Sequence, residues 1–561
     1  MEGVTVSLLN ALGAMLGVFL HAEQLALPAI IMLIAATTAV GALVHKKIFS
    51  NRFIMIYKGI KEIIEKLENS KAPFLYFILT FFFAVLLRNF LEISPNFDAL
   101  KRIMPHYTLS YIASALILII LFHLATKEKI EKISRVILPC YLILISVPIL
   151  DFIFSLGKGF TVGYMYPGRG GYDNMLLRFF TFFGPIETHG ITIGMRIEIA
   201  LALIGCFIYF FIKKRSVIRS LIFSFFTYSL IFLFCSMPYV MRALLNISGL
   251  EYDYSDPLAI NFYLLLIFIF SVWLFYLYNK TYFIAFFKDI RPFRILHFQL
   301  MFVLGVVLAK VTLPIMLQLT EETLFHYPFI MIAILFAALF TITTNNIVDY
   351  DIDKESNKER PLVSGTIPIT HYKSISWIFL LLAVVYSSAV DFRTLFLILV
   401  VIGNYFLYSM PPLRLKRIPF FSKLLISINS FVFFFLGYGF ASGTPEIPVA
   451  IIVFFLVAFT AAINFIDIKD YEGDKKAGIK TLPTMLGLKK SKLIIGLFFL
   501  IAYIIPAFIF NILRNIPFLT SSIIFGLTEF SLINRKNYNE KPVFIVYLSS
   551  IILLIVYLIL L

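Results

Sequence analysis

The chain has 561 residues, of which 60% are hydrophobic and only 14% are charged, and its mean hydropathy is +0.93. This composition excludes a soluble globular protein and indicates a polytopic membrane protein. The formal net charge of +16 is compatible with nucleic-acid binding, but basic residues in so apolar a chain usually fix membrane topology. We therefore predict no nucleic-acid partner.

Apolar runs of about 20 residues, the length that crosses the hydrocarbon core, recur along the whole chain. Because no cleavage-site pattern follows the first run, we interpret it as a membrane span. Eight runs precede a basic linker at about 280–294: 4–20, 24–44, 73–92, 107–126, 136–155, 191–212, 217–236 and 257–278. Nine runs follow it: 295–317, 325–348, 371–389, 391–409, 420–440, 446–466, 491–510, 514–530 and 542–561.

The runs predict an all-α polytopic membrane protein of about 17 transmembrane helices. An N-terminal membrane domain of about eight helices would occupy residues 1–280, and a C-terminal domain of about nine would occupy residues 281–561. Alternate connections between the runs hold 37 of the 48 Lys and Arg residues. This asymmetry predicts a cytoplasmic N-terminus and an external C-terminus.

The basic connection at 45–72 has apolar residues at helical spacing among its lysines. It reads equally as an interfacial amphipathic helix or as a positive-inside loop with local helix. The three cysteines lie within apolar runs and have neither metal-ligand nor disulfide spacing, so we predict that they are packing residues.

Two clusters of acidic residues stand at the ends of apolar runs, in residues 344–368 and 464–487. Each has three oxygen-bearing side chains at i, i+3 and i+7, followed at once by a lysine. On a helix this spacing stacks the three side chains on one face, where like charges repel unless a cation lies between them. Such carboxylates suit Mg²⁺ that is shared with a phosphorylated substrate. We predict that the two clusters face each other across one cytoplasmic-side cavity. Their members are Asn346, Asp349 and Asp353, then Asp467, Asp470 and Asp474.

Four motifs in a fixed order give a more specific resemblance. They are N-x-x-x-D-x-x-x-D from Asn345, R-P-L-x-S-G from Arg360, Y-S-x-P-P-x-R-x-K-R from Tyr408, and D-x-x-D-x-E-G-D-K-x-x-G-x-x-T-L-P from Asp467. From about residue 291 onward the chain resembles the UbiA superfamily of intramembrane prenyltransferases. The first motif of that family often reads N-D, whereas the second position here is Asn346.

The resemblance implies a bundle of nine membrane helices with a cavity that opens sideways to lipid. It also implies Mg²⁺-dependent transfer of a prenyl group from a polyprenyl diphosphate to a hydrophobic or amphiphilic acceptor. The predicted metal ligands are Asp349, Asp353, Asp470 and Asp474. The predicted diphosphate-binding residues are Asn345, Asn346, Lys354, Arg360, Lys416, Arg417 and Lys475.

Three further side chains are candidates on the catalytic or acceptor side. Asp467 could bind metal, orient Lys469 or remove a proton from the acceptor. The faces of Tyr405 and Tyr408 could stabilise an allylic cation, although packing is the commoner role of an aromatic side chain.

Two questions stay open at this point. The acidic clusters could instead bind the coupling ion of a membrane transporter, although transporters usually place ion sites at the bilayer midplane. The first half carries ionisable residues at membrane depth, which often mark a functional site. They are compatible with a second active site, with a transport path or with a module that delivers the acceptor. We favour a fourth interpretation, buried ion pairs such as one between Arg196 and a carboxylate. These residues are Arg88, Glu187, His189, Arg196, Glu198 and Arg242.

Overall fold

The computed structural model describes residues 49–93, 97–165, 175–184, 189–247, 255–312, 321–444, 446–476, 478–509 and 516–560. The chain divides into two compact units, Met1–Asn279 and Lys280–Leu561. The predicted spans 4–20 and 24–44 lie outside the described residues, as does Glu187.

Fifteen helices of the described residues are long and apolar enough to cross a membrane, six in the first unit and nine in the second. Each coincides with one of the fifteen runs predicted beyond residue 48, which confirms an all-α, multi-pass membrane protein. Large apolar side chains point outward, as expected for a surface in lipid: Phe392 is 79% exposed and Trp377 is 63% exposed.

The first unit consists of ten described helices and a parallel bridge of two short strands. The helices are α1 Phe49–Glu68, α2 Phe74–Ile93, α3 Phe97–Thr126, α4 Ile130–Cys140, α5 Ser146–Phe154, α6 Met175–Phe180, α7 Ile193–Lys214, α8 Val217–Cys235, α9 Met237–Ile247 and α10 Asp256–Tyr278. Strands β1 Thr161–Val162 and β2 His189–Gly190 pair in parallel. The basic connection at 45–72 thus contains a helix, α1, which both of its readings allow.

Two arginines of the first unit have partners that the sequence did not predict. The guanidinium of Arg88, which is buried, lies over the rings of Tyr107 and Tyr111, at 5.7 and 5.5 Å from their centroids. Arg196, which is partly buried, donates to the main-chain oxygens of Phe182 and Gly184, both at 2.8 Å. These contacts stabilise the two cations, while the ion pair proposed for Arg196 stays a prediction.

The second unit has fourteen described α-helices, interrupted by short 3₁₀ and π turns. They are α11 Lys280–Asp289, α12 Pro292–Thr312, α13 Glu321–Val348, α14 Tyr350–Ser356, α15 Ile369–Val390, α16 Phe392–Ser409, α17 Phe421–Ser442, α18 Val449–Val453, α19 Thr460–Ala462, α20 Ile466–Lys476, α21 Leu482–Leu486, α22 Leu488–Ile509, α23 Ile516–Asn534 and α24 Glu540–Leu560. Between α18 and α20 the chain continues as one membrane span, Val449–Lys475.

Two glycines let α12 and α17 approach closely. A Cβ atom added to Gly305 would overlap the main-chain oxygen of Phe434, and one added to Gly437 would overlap the main-chain oxygen of Phe302. Small residues at such crossings allow the tight packing on which association of membrane helices depends. The contact fixes α12, whose N-terminal half faces the cavity described below.

Gly305→Ala is therefore expected to lower the free energy of unfolding by about 2 kcal/mol, because the added methyl group must push two helix backbones apart. Thermal unfolding of the purified protein in detergent measures this loss. Gly403→Ala is the matched control: it lies within α16, and nothing comes within 4 Å of its added Cβ. Equal stability of the two variants would contradict the tight crossing.

Candidate active site

One large cavity lies within the second unit, and both acidic clusters line it. Its volume is about 2440 Å³. The lining residues include Asn345, Asp349 and Asp353 from the first cluster and Asp467, Asp470 and Asp474 from the second. The predicted cations Arg360, Lys416 and Arg417 line the same cavity.

Asp349 holds two cations at the cavity wall. It follows the last residue of α13 and accepts hydrogen bonds from Arg414 at 2.6 Å and from Lys416 at 2.6 and 2.7 Å. Lys416 also reaches the side-chain oxygen of Asn345 at 3.3 Å. Burial lowers the pKa of Lys416, and the negative charge of Asp349 opposes that shift. The carboxylate therefore helps to keep a buried ammonium group charged.

Asp353 is the buried carboxylate of the first cluster. It accepts a hydrogen bond from Asn357 at 2.9 Å and forms an ion pair with Arg360. Burial raises the pKa of Asp353, while Arg360 and the Asn357 hydrogen bond act in the opposite direction. Arg360 belongs to the loop after α14. The ion pair with Asp353 holds its guanidinium beside the acidic cluster, where it lines the cavity.

Asn346 lies outside the cavity lining, unlike Asp349 and Asp353, and its role as a diphosphate-binding residue stays a prediction. Its amide nitrogen donates to Asp289 at 2.8 Å and to Tyr372 at 2.9 Å. Its oxygen accepts from Arg291 and Arg360, both at 3.1 Å. The main chain keeps helical hydrogen bonds beyond Val348, from Asp349 to Asn345 and from Asp353 to Asp349, both at 2.8 Å. The amide side chain that lines the cavity is the preceding Asn345.

This network explains the departure from N-D in the first motif, and it gives a test. Asn346→Asp is expected to lower the free energy of unfolding by about 2 kcal/mol, because two carboxylates would then face each other without the amide proton that joins Asn346 to Asp289. The double variant Asp289→Asn with Asn346→Asp restores a donor opposite an acceptor and should recover most of the loss in a thermal unfolding assay. Additive losses would contradict the proposed pairing.

The second cluster lies on α20 and differs from the first. Asp467 is buried and forms an ion pair with Lys423 at 2.6 Å. Lys469, which we considered as its partner, lies 3.6 Å from Glu540 instead. Among the described residues, Asp470 and Asp474 have no hydrogen bond or ion pair, so their carboxylate oxygens are open to the cavity.

Lys354 and Lys475 do not line the cavity, and their role as diphosphate-binding residues stays a prediction. Lys354 is 49% exposed and pairs with Asp351 at 2.9 Å, and the Lys475 ammonium lies 5.7 Å from the Tyr471 ring centroid. Each lysine follows an aspartate of its cluster by one position, and one residue turns the side chain about 100° around a helix. Both lysines therefore point away from the side that the aspartate faces.

The site also contains residues that the sequence analysis did not assign. Arg414 lies within the motif that begins at Tyr408, but its spacing in the sequence does not distinguish it from an ordinary loop residue. Arg291 and Lys423 resembled the ordinary basic residues of cytoplasmic connections, and both line the cavity. The candidates Tyr405 and Tyr408 line it too, with ring centroids 5.6 Å apart.

Comparison with known proteins identifies the family. The model of the UbiA prenyltransferase family matches residues 300–552. A digeranylgeranylglyceryl phosphate synthase of Saccharolobus solfataricus is 31% identical over 196 residues, which are 32% of this chain and 67% of that protein. The chain belongs to the UbiA prenyltransferase family.

Further proteins are similar to part of the chain. The enzyme of the same name from Sulfurisphaera tokodaii is 29% identical over 32% of this chain, which spans 66% of that protein. Homogentisate phytyltransferase of Synechocystis sp. is 29% identical over 28% of this chain, which spans only 53% of that protein. A solved UbiA homolog from Archaeoglobus fulgidus, bound to GPP and Mg²⁺, is 22% identical over 49% of this chain and 98% of its own, with a TM-score of 0.41.

Proposed function

We propose that residues 281–561 form a domain that transfers a prenyl group from a polyprenyl diphosphate to a hydrophobic or amphiphilic acceptor within the membrane. The observation that carries the proposal is the meeting of two acidic clusters and several cations at one cavity among membrane helices. A diphosphate needs positive charge around it, and a prenyl chain needs an apolar chamber. The family membership and the names of the relatives agree with this chemistry.

The donor atoms fit Mg²⁺ that is shared with a diphosphate better than a metal ion held by protein alone. No group of three or more His, Cys, Asp or Glu side chains suited to holding a metal occurs among the described residues. Mg²⁺ usually takes one or two carboxylates and completes its shell with water and substrate phosphates. We propose Asp470 and Asp474, whose oxygens are open, together with Asp349 and Asp353 as its ligands. Bound there, Mg²⁺ would act as a Lewis acid on the leaving diphosphate.

The cations of the chain would stabilise the leaving group. When the allylic carbon–oxygen bond breaks, its electron pair stays with the diphosphate oxygen. Arg360, Arg414 and Lys416 are held beside the acidic cluster by ion pairs. Groups preorganised in this way stabilise charge that develops in the transition state. The faces of Tyr405 and Tyr408 are suited to stabilising the allylic cation.

The depth of the cavity suits a long prenyl tail. On α24 its lining extends from Glu540 to Leu554, a rise of about 21 Å along the helix axis. That is most of a hydrocarbon core about 30 Å thick. We propose that the tail occupies this deep part while the diphosphate stays at the acidic end. From the distribution of Lys and Arg, we further propose that the acidic end faces the cytoplasm, with the N-terminus inside and the C-terminus outside.

The test is a transfer assay on the full chain, purified into detergent. The protein is incubated with radiolabelled geranylgeranyl diphosphate, MgCl₂ and a lipid extract of the source cells. A labelled lipid that is absent when EDTA replaces MgCl₂ is the expected result. Recovery of intact donor as the sole labelled species, with extract and MgCl₂ both present, would contradict the proposed activity.

A further inference from the structure

An exposed amphipathic patch lies outside the cavity, where the short helix α21 leads into the membrane helix α22. Two apolar side chains of α21 are exposed, Met485 at 60% and Leu486 at 43%. On either side of them in the sequence, Lys480, Lys489 and Lys490 are exposed as well. None of these five residues lines the cavity. We call the five residues the α21 patch.

The α21 patch continues the lipid-facing side of α22. Leu493, Leu497 and Ile501 are 49%, 44% and 52% exposed, and their four-residue spacing places them in one row along the helix. Lys489 precedes Leu493 by four residues, so the row ends in a lysine at the start of α22. At the end of a membrane helix, a lysine lays its carbon chain along the apolar surface and extends its ammonium group to the head groups. The patch therefore lies at the level of the lipid head groups.

The chain around the α21 patch is strongly basic. From residue 475 to residue 539 the sequence has nine Lys and Arg residues and one acidic residue, Glu529, which is 0% exposed. Lys492 donates to the main-chain oxygen of Arg535 at 2.8 Å, and this contact brings the exposed side chains of Arg535 and Lys536 to the start of α22. No ion pair or hydrogen bond joins the lysine side chains of the patch to another described residue. The surface therefore suits an anionic partner.

We propose that the α21 patch binds anionic phospholipid head groups, with Met485 and Leu486 inserted at the boundary between the head groups and the acyl chains. Clusters of Lys and Arg beside a membrane helix attract anionic lipids. Exposed apolar side chains among them bury apolar area when they enter the interface. The lipid-facing row on α22 favours a lipid surface over a soluble partner. The inference does not depend on the proposed prenyl transfer, because it concerns a surface outside the cavity.

Hydrogen bonds connect the α21 patch to the wall of the cavity. The Ser491 hydroxyl donates to the main-chain oxygen of Leu482 at 2.9 Å and so joins α22 to α21. The Thr484 hydroxyl of α21 donates to the main-chain oxygen of Ile479 at 2.9 Å, and Ile479 lines the cavity. Lipid bound at the patch would therefore also restrain residues 478–481 at the cavity wall.

The test uses the full chain in phosphatidylcholine nanodiscs that contain a photoactivatable phosphatidylglycerol or a photoactivatable phosphatidylcholine. Mass spectrometry identifies the cross-linked peptides. We expect the phosphatidylglycerol probe to label residues 480–490 about tenfold more than the phosphatidylcholine probe, because basic residues near the surface attract the anionic head group. Adding unlabelled phosphatidylglycerol is also expected to slow amide hydrogen exchange of residues 478–487, because a restrained segment opens less often.

Lys489→Gln combined with Lys490→Gln is expected to lose most of the preference for phosphatidylglycerol and to remove the slowing of exchange. Lys354→Gln combined with Lys358→Gln is the matched control. It removes the same charge from a segment that also carries two exposed carboxylates, one of which pairs with Lys354 at 2.9 Å. The control should resemble the wild type in both measurements.

Equal labelling by the two probes in the wild type would overturn the inference, and so would an unchanged preference in the Lys489 and Lys490 double variant. Selective labelling without slower exchange would overturn the restraint on the cavity wall. Dimers in the nanodiscs that disappear in Met485→Ser combined with Leu486→Ser, without selective labelling, would assign the patch to a second copy of the chain and overturn the inference.

Discussion

Asp474→Ala is expected to lower Mg²⁺-dependent prenyl transfer by about a thousandfold, the upper end for loss of one group that stabilises transition-state charge. Asp474 lines the cavity, and neither it nor Asp470 is paired with a cation among the described residues. Their open oxygens are the strongest candidates in the site for a shared metal ion. The initial rate of label transfer at saturating donor and MgCl₂ measures the effect.

Asp351→Ala is the control for this experiment. Asp351 has the same side chain and stands between two first-cluster aspartates, yet it is 90% exposed and pairs with Lys354 at 2.9 Å. It should keep a rate within about twofold of the wild type, because exposed ion pairs contribute little. A rate for Asp474→Ala close to that of Asp351→Ala would remove Asp474 from the proposed metal site.

Lys416→Met is expected to lower transfer by about a hundredfold, again through the loss of preorganised positive charge at the leaving group. The side chain is held between Asp349 and Asn345, and methionine keeps much of its length without the charge. The half-saturating donor concentration should rise as well, because the ammonium group is proposed to meet the diphosphate in both the ground and the transition state. Rates measured over a range of donor concentrations give both quantities.

Lys354→Met is the paired control. The sequence analysis predicts both lysines to bind diphosphate, and of the two it is Lys416 that lines the cavity. Lys354→Met should therefore behave as the wild type. Equal losses in the two variants would favour the original sequence prediction over the geometry of the site.

The membrane helices could be predicted well because the signal is local. A run of about 20 apolar residues is sufficient to define a span, so each of the fifteen candidate spans in the described residues has a predicted counterpart. The acidic clusters were also visible, because carboxylates are conspicuous in a chain with so few charges. The spacing did not predict that Asn345, rather than Asn346, lines the cavity.

The partners of the acidic residues could not be predicted, because they come from distant parts of the chain. Lys423 reaches Asp467 from α17, and Arg414 reaches Asp349 from the loop after α16. Arg291 approaches Asn346 from the start of the second unit. Each of these cations looks in sequence like a residue that sets membrane topology. Only the packing of the helices shows which of these basic side chains face the cavity.

The central claim is that both clusters act on one diphosphate, and binding of an unreactive donor tests it most directly. Affinity for geranylgeranyl thiodiphosphate is measured with and without MgCl₂ for the wild type, Asp349→Asn and Asp474→Asn. We expect the wild type to bind tightly only with Mg²⁺, and each variant to lose most of that Mg²⁺-dependent gain. Full Mg²⁺-dependent binding in either variant would contradict a site shared by the two clusters.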